Sequence, residues 1–222
     1  MNSCHEDVSA FLLRERKTLE YLEGKRSCPM LANMATAAYR SKYNISKAGF
    51  SSYLNWSVAH DELDSVYDIH VGGSGSCNKD GALECVSYFF TISEEIDGKH
   101  KVLRKFHFDY TNPANERRRP QPLFHLQFPG ELPSWMEDCY KIDHLDPKLS
   151  EPRILYFPMS LSLVLHIAFS EFQDEYTDKI IKDGGWLGLV RADQKMLWKP
   201  YMETCLEHIS RNRIIFNEAY AT

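Results

Sequence analysis

No stretch of this sequence is apolar for long enough to cross a bilayer. The most apolar run, Met159 to Phe169, is far shorter than the ~20 residues a membrane-spanning helix needs, and it carries Ser160, Ser162 and His166. The opening residues, MNSCHEDVSA, have early acidic groups and no continuous apolar core, so no secretory signal is expected. Cys4, Cys28, Cys77, Cys85, Cys139 and Cys205 are scattered without one Cys-x-x-Cys pair, which argues against a zinc ribbon and against a disulfide-stapled secreted scaffold. Free thiols in a reducing cytoplasm are the expectation. Also missing are H-E-x-x-H, G-x-S-x-G, a phosphate-binding P-loop, a dinucleotide-binding glycine fingerprint, internal repeats and low-complexity tracts.

What is present is an ordinary globular composition, with 43% hydrophobic and 26% charged residues over 222 positions, so disorder is not expected and residues 1–222 are read as one domain. Aromatics reach 13%, enough for a dense core or an aromatic-lined interface. The net charge of −5 predicts no general affinity for nucleic acid, but its distribution is uneven. Between Lys99 and Gln127 there are seven lysines and arginines against two acids, a basic stripe on an acidic body. Such a feature selects an anionic ligand or an acidic partner.

Periodicity changes along the chain. Val8, Phe11, Leu12, Leu19 and Leu22 fall at helical spacing with Gly24 at the end, and Pro29 suits the first turn of a second helix reaching Tyr39. Residues 1–60 read as mainly helical, with Ile45 to Val58 as a turn and a short helix or strand. Val66 to Val71 has strand composition and runs into GGSGSCNKDG, which reads as a flexible loop. Leu83 to Ile92, Lys101 to Tyr110 and Leu123 to Phe128 continue as strands, the first two joined across an Asp97–Gly98 turn. A short helix is expected at Trp135 to Tyr140. Pro158 opens a helix from Met159 to Tyr176, Gly184 and Gly185 break the pattern, and a last helix from Asp193 to Ser210 is kinked or split at Pro200. The expected fold is α+β: an antiparallel meander of three to four or more strands over 65–130, flanked by helices at 1–60 and 155–215.

Alternation along strands gives the sharpest functional expectation. In KFHFDY, His107 and Asp109 share one face while Phe106, Phe108 and Tyr110 take the other; in LFHLQF, His125 and Gln127 oppose Phe124, Leu126 and Phe128. Should these strands pair, His107, Asp109, His125 and Gln127 converge. Two imidazoles with a carboxylate are parts for acid–base chemistry, or equally for a divalent metal, although the sequence requires none and leaves the cofactor unknown. Arg104, Lys105 and the run Arg117, Arg118 and Arg119 offer contacts to phosphate or to a partner. The blander alternatives are a hydrogen-bonded His/Asp pair and a solvated arginine run. His166, on an apolar helix, reads as a satisfied core histidine. The helix from Met159 to Phe172 is apolar nearly all round, which suits a core position or, alternatively, an interface with a partner subunit.

FHFDY, the Pro-rich loop, PLFHLQF and EPRILYFPMSLSLVL together resemble a group of bacterial proteins combining an H-x-D strand, an H-x-Q strand and a P-R-I…P-M helix start. Such proteins look like cargo of mobile elements, toxin–antitoxin loci or antiphage-defence loci. The resemblance covers about residues 100–170, highlights Arg153 beside the His/Asp set, and brings no activity with it. Two expectations follow. One is a cytoplasmic defence or toxin-type protein contacting nucleic acid through the basic hairpin, with nuclease activity as its sharpest form. The other is a non-catalytic subunit of a larger assembly that docks a nuclease or ATPase.

Overall fold

The computed structural model describes residues 8–24, 44–46, 49–60, 65–77, 83–97, 99–111, 124–127, 143–144 and 153–211. The helix expected after Pro29, the one at Trp135 to Tyr140 and Arg117–Arg119 lie outside these residues. The fold is α+β. Helix α1 (Val8–Gly24) precedes a meander of five antiparallel strands: β1 (Asn44–Ser46), β2 (Gly49–His60), β3 (Ser65–Cys77), β4 (Leu83–Ile96) and β5 (Lys99–Thr111). β6 (Phe124–Gln127) pairs with β5 and β8 (Arg153–Leu155) with β6, both antiparallel, while β7 (Asp143–His144) runs parallel to β5 at Lys101 and Val102. Four helices follow: α2 (Leu161–Glu171), α3 (Glu175–Lys182), α4 (Gly184–Asp193) and α5 (Lys199–Ser210).

Two sequence expectations need correcting, both because packing overrides local preference. Residues 49–60 form one long strand, so the N-terminal part is not all helical. Gly72 to Cys77 is no flexible loop but the second half of β3. Its glycines are required by the rings beside them. Gly72 pairs with Phe89 and Gly73 with Tyr88 across the ladder. A Cβ on Gly72 would lie 2.5 Å from the Phe89 ring, and one on Gly75 would lie 2.5 Å from Phe50. Glycine here admits aromatic rings to the sheet surface.

The helical region also divides differently. Ser160 caps α2 by accepting from the Leu163 N–H, and α2 ends at Glu171. Asp174 then captures the Tyr176 and Thr177 amides in a capping box, so the expected Met159–Tyr176 helix becomes α2 and the start of α3. Asp183 caps α4 by accepting from the Gly185 and Trp186 amides, and Gly184 and Gly185 form its first turn. A π-helical turn, Gln194–Trp198, joins α4 to α5 just ahead of Pro200, whose missing N–H is tolerated in a first turn.

The helices cover one face of the sheet. Phe50, Leu54, Trp56 and Val58 of β2, Ile69 and Val71 of β3, Val86, Tyr88 and Phe90 of β4, and Phe108 of β5 meet Phe11, Leu19 and Leu22 of α1 and the buried side of α2. Trp56 packs on Phe169 at 5.1 Å between centroids, and Phe169 on Trp186 at 5.5 Å. Leu161, Leu163, Val164, Leu165, Ala168 and Phe169 are all buried, so α2 belongs to the core. His166 accepts a hydrogen bond from the Trp186 indole at 3.2 Å, as a core histidine should. No helix among the described residues is long and apolar enough to cross a membrane.

Candidate functional site

The face of the sheet turned away from the helices is also buried, and it is polar. Alternation puts Tyr53, His70, Thr91, Lys105, His107 and Gln127 there, all with little exposure. The ladder sets their register: His70 lies opposite Thr91, Thr91 opposite Lys105, Phe89 opposite His107, and His107 opposite Gln127. One step further along β5, Asp109 stands opposite His125. The two strands therefore pair in the register that the H-x-D and H-x-Q motifs need to share a face.

Two histidines in this layer have opposite surroundings. His70 is fully buried and satisfied at both nitrogens: the Tyr53 hydroxyl lies 2.8 Å from Nδ1 and the Ser93 hydroxyl 2.9 Å from Nε2. Ser93 stands two residues after Thr91 on β4 and so shares its face, next to the point where the β4–β5 register shifts between Ile92 and Ser93. His107 is 8% exposed and its Nε2 has no hydrogen-bond partner among the described residues. Burial, with the Lys105 ammonium adding to it, holds its pKa down at about 3, so the imidazole is neutral throughout the ordinary pH range. An orphaned ring nitrogen in a buried polar layer costs folding free energy of roughly 1–3 kcal/mol, and sites that keep such a cost are where function is sought.

The remaining candidates are dispersed. Asp109 is half-buried on the same face. Arg104 is exposed with its guanidinium on the Leu103 carbonyl at 2.7 Å, whereas Lys105 is buried, so these neighbours lie on opposite faces and do not form one cationic patch. Arg153 pairs with Gln127 through the backbone of β8, which puts it at the edge of the same strand set. No group of three or more His, Cys, Asp or Glu side chains suited to a metal occurs among the described residues. His70, Tyr53 and Ser93 were not singled out from the sequence, although the alternation that selects His107 applies equally to Asp68 and His70 between Tyr67, Ile69 and Val71.

A second buried polar centre lies on the helix side. Asp193, at the end of α4, accepts from Arg14 Nε at 2.6 Å and from the hydroxyls of Ser160, at 2.9 Å, and Ser162. Arg14 also reaches the Leu189 carbonyl at 2.6 Å. Beside it, Glu15 Oε1 accepts the Leu161 amide at 3.1 Å, while Oε2 and the neighbouring Tyr88 hydroxyl find no well-aligned partner. Burial raises the Glu15 pKa to about 8, so this carboxyl is mostly protonated at neutral pH. The group ties α1, the start of α2 and the end of α4 together. Neither family models nor curated proteins nor solved structures match this chain.

Proposed function

We propose that this chain is a cytoplasmic, nucleic-acid-contacting protein of the bacterial defence or toxin type, with the polar face of β5 and β6 as its contact site. One observation carries the reading: His107 and Asp109 stand opposite Gln127 and His125 in paired strands, with His107 Nε2 buried and without a hydrogen-bond partner among the described residues. Support also comes from the basic excess between Lys99 and Gln127 and from the motif resemblance over residues 100–170.

The same site suggests how cleavage would depend on substrate. A neutral imidazole that protonates only near pH 3 is a poor proton donor in the free protein. A phosphate seated beside Nε2 favours the imidazolium, so His107 gains acid character in the complex alone. In this reading the proton-accepting role falls to the pair opposite each other one step along the ladder, Asp109 and His125.

The test is a cleavage and binding assay on labelled RNA, single-stranded DNA and duplex DNA, with Mg²⁺ or EDTA. Wild type is compared with His107→Gln and Asp109→Asn, each checked for an intact melting transition. Loss of cleavage or binding in folded variants supports the site; a wild type that neither binds nor cleaves any of the three sinks the reading. The docking-subunit alternative draws little support from the Met159–Phe172 helix, most of whose apolar side chains are buried in the core.

A further inference from the structure

Helix α1 joins the rest of the molecule at a buried junction where two carboxyls meet one guanidinium. Arg14 directs its donors to α4: Nε bonds Asp193 at 2.6 Å, and a terminal nitrogen bonds the Leu189 carbonyl at 2.6 Å. Asp193 also accepts from the hydroxyls of Ser160 and Ser162, so its charge is matched and both its oxygens are occupied. Glu15, the next residue of α1, is 1% exposed. Its Oε1 accepts the Leu161 amide at 3.1 Å, and its Oε2 has no hydrogen-bond partner among the described residues.

The groups facing Glu15 come from each neighbouring element. The Tyr88 hydroxyl lies beside it from β4, the Asp193 carboxylate acts on it from α4, and the nearby hydroxyls of Ser160 and Ser162 at the start of α2 are neutral. Arg14 is its neighbour in α1, and that guanidinium is already engaged by Asp193. An ionised Glu15 would therefore be a second negative charge in a dry site whose cation is taken. Such a carboxyl keeps its proton. Burial first and Asp193 second raise its pKa to about 8, within reach of mild alkali.

The consequence falls on α1 because the layer beneath it is continuous without it. Phe169 of α2 packs on Trp56 of β2, Phe172 meets Phe90 of β4 at 5.5 Å, and Trp186 of α4 packs on Phe169. Helix α1 rests on that layer through Phe11 on Phe50 at 5.9 Å and Tyr21 on Trp186 at 5.7 Å. A helix laid on an assembled layer is a unit that can open without the remainder.

We propose that α1 is a proton-dependent latch, docked on α2, α4 and β4 while Glu15 is protonated and opened, with the sheet and α2–α4 still folded, when Glu15 ionises. Opening uncovers the Phe50 and Trp186 rings that α1 hides. The sign follows from the raised pKa: docking is strongest below the ordinary 4.5 and weakens as pH rises toward 8.

The experiment is limited trypsin digestion of wild type and Glu15→Gln at pH 7 and pH 9, with cleavage sites identified by mass spectrometry. Rates are scaled by those of trypsin on a short peptide at each pH, so that they report the open population. Arg16 and Lys17 are exposed on α1, and Lys179 and Lys182 on α3 serve as the reference. Gln keeps an oxygen for the Leu161 amide and fixes the neutral form. The expected result in wild type is about a tenfold rise at Arg16 and Lys17, the ratio given by a carboxyl moving from 4.5 to about 8, with the α3 sites unchanged. In Glu15→Gln the α1 ratio should stay near one. A wild-type ratio near one overturns the latch, as does an equal rise in Glu15→Gln. An equal rise at Lys179 and Lys182 also overturns it, because the whole fold then opens as one. Wild type alone can give the first and third of these results, so the test stands even if the variant fails to fold.

Discussion

The two faces of the sheet bury comparable layers by different chemistry. Toward the helices, Phe50, Trp56, Ile69, Val71 and Phe90 pack on apolar side chains, and the strongly polar centre there, around Asp193, is bonded to Arg14, Ser160 and Ser162. On the opposite face, Tyr53, His70, Thr91, Lys105, His107 and Gln127 form a polar layer in which His70 is satisfied and His107 Nε2 is not. A buried polar group that is fully bonded specifies a structure; one left unbonded weakens it and calls for another reason to be there. The first face explains why the protein folds. The second is where a ligand is to be sought.

The contrast can be broken most severely at Asp193. Asp193→Ala leaves the Arg14 guanidinium and two serine hydroxyls without their acceptor, and the expected loss is about 3–5 kcal/mol in urea denaturation. A loss below about 1 kcal/mol would mean that this centre does not hold the helices together. Gly73→Ala should come next, at about 1–3 kcal/mol, because the new methyl meets the Tyr88 ring. An unchanged denaturation midpoint would show that the rings above β3 are loosely placed.

The pH dependence compares the faces directly. Glu15, raised from 4.5 to about 8, binds its proton more tightly in the folded state, so its stabilising contribution is complete below pH 4.5 and is lost as pH rises toward 8. His107, lowered from 6.5 to about 3, does the reverse: its contribution is complete above pH 6.5 and is lost as pH falls toward 3. Between pH 4.5 and 6.5 the two slopes oppose each other, giving a plateau. Each slope is on the order of 1 kcal/mol per pH unit. Glu15→Gln should flatten the decline between pH 6.5 and 8, and His107→Leu the decline between pH 4.5 and 3, in melts recorded across the range. A decline that persists in the matching variant would assign that limb to other groups.

The smallest effect should be the most telling. At neutral pH, His107→Leu keeps similar bulk and removes an unpartnered nitrogen, so stability should stay within about 1 kcal/mol of wild type or rise. His70→Leu, which strands the Tyr53 and Ser93 hydroxyls, should cost about 1–3 kcal/mol. Equal losses at both positions would erase the distinction between a histidine bonded at both nitrogens and one that is not.

Much of this was legible in the sequence. Alternation in β4, β5 and β6 located the meander, and it put His107 and Asp109 on one side of β5 because side chains in a strand have a period of two. The helical stripe of α1 was also visible, and within it Glu15 stands four residues after Phe11 and four before Leu19, an acid on an apolar face that spacing alone could have flagged. What misled was composition. GGSGSC reads as a loop until the rings of Phe89, Tyr88 and Phe50 are known to need its missing side chains.

By itself, then, the sequence determined the fold class, the strands of the hairpin and the identity of the side chains on each of their faces, since these follow from local periodicity. Tertiary structure alone decided that the second sheet face is buried, that His107 Nε2 has no hydrogen-bond partner among the described residues while both nitrogens of His70 do, and that Asp193 meets Arg14 across 179 positions of chain. Burial and hydrogen bonding depend on which distant segments come together, and no local pattern records that.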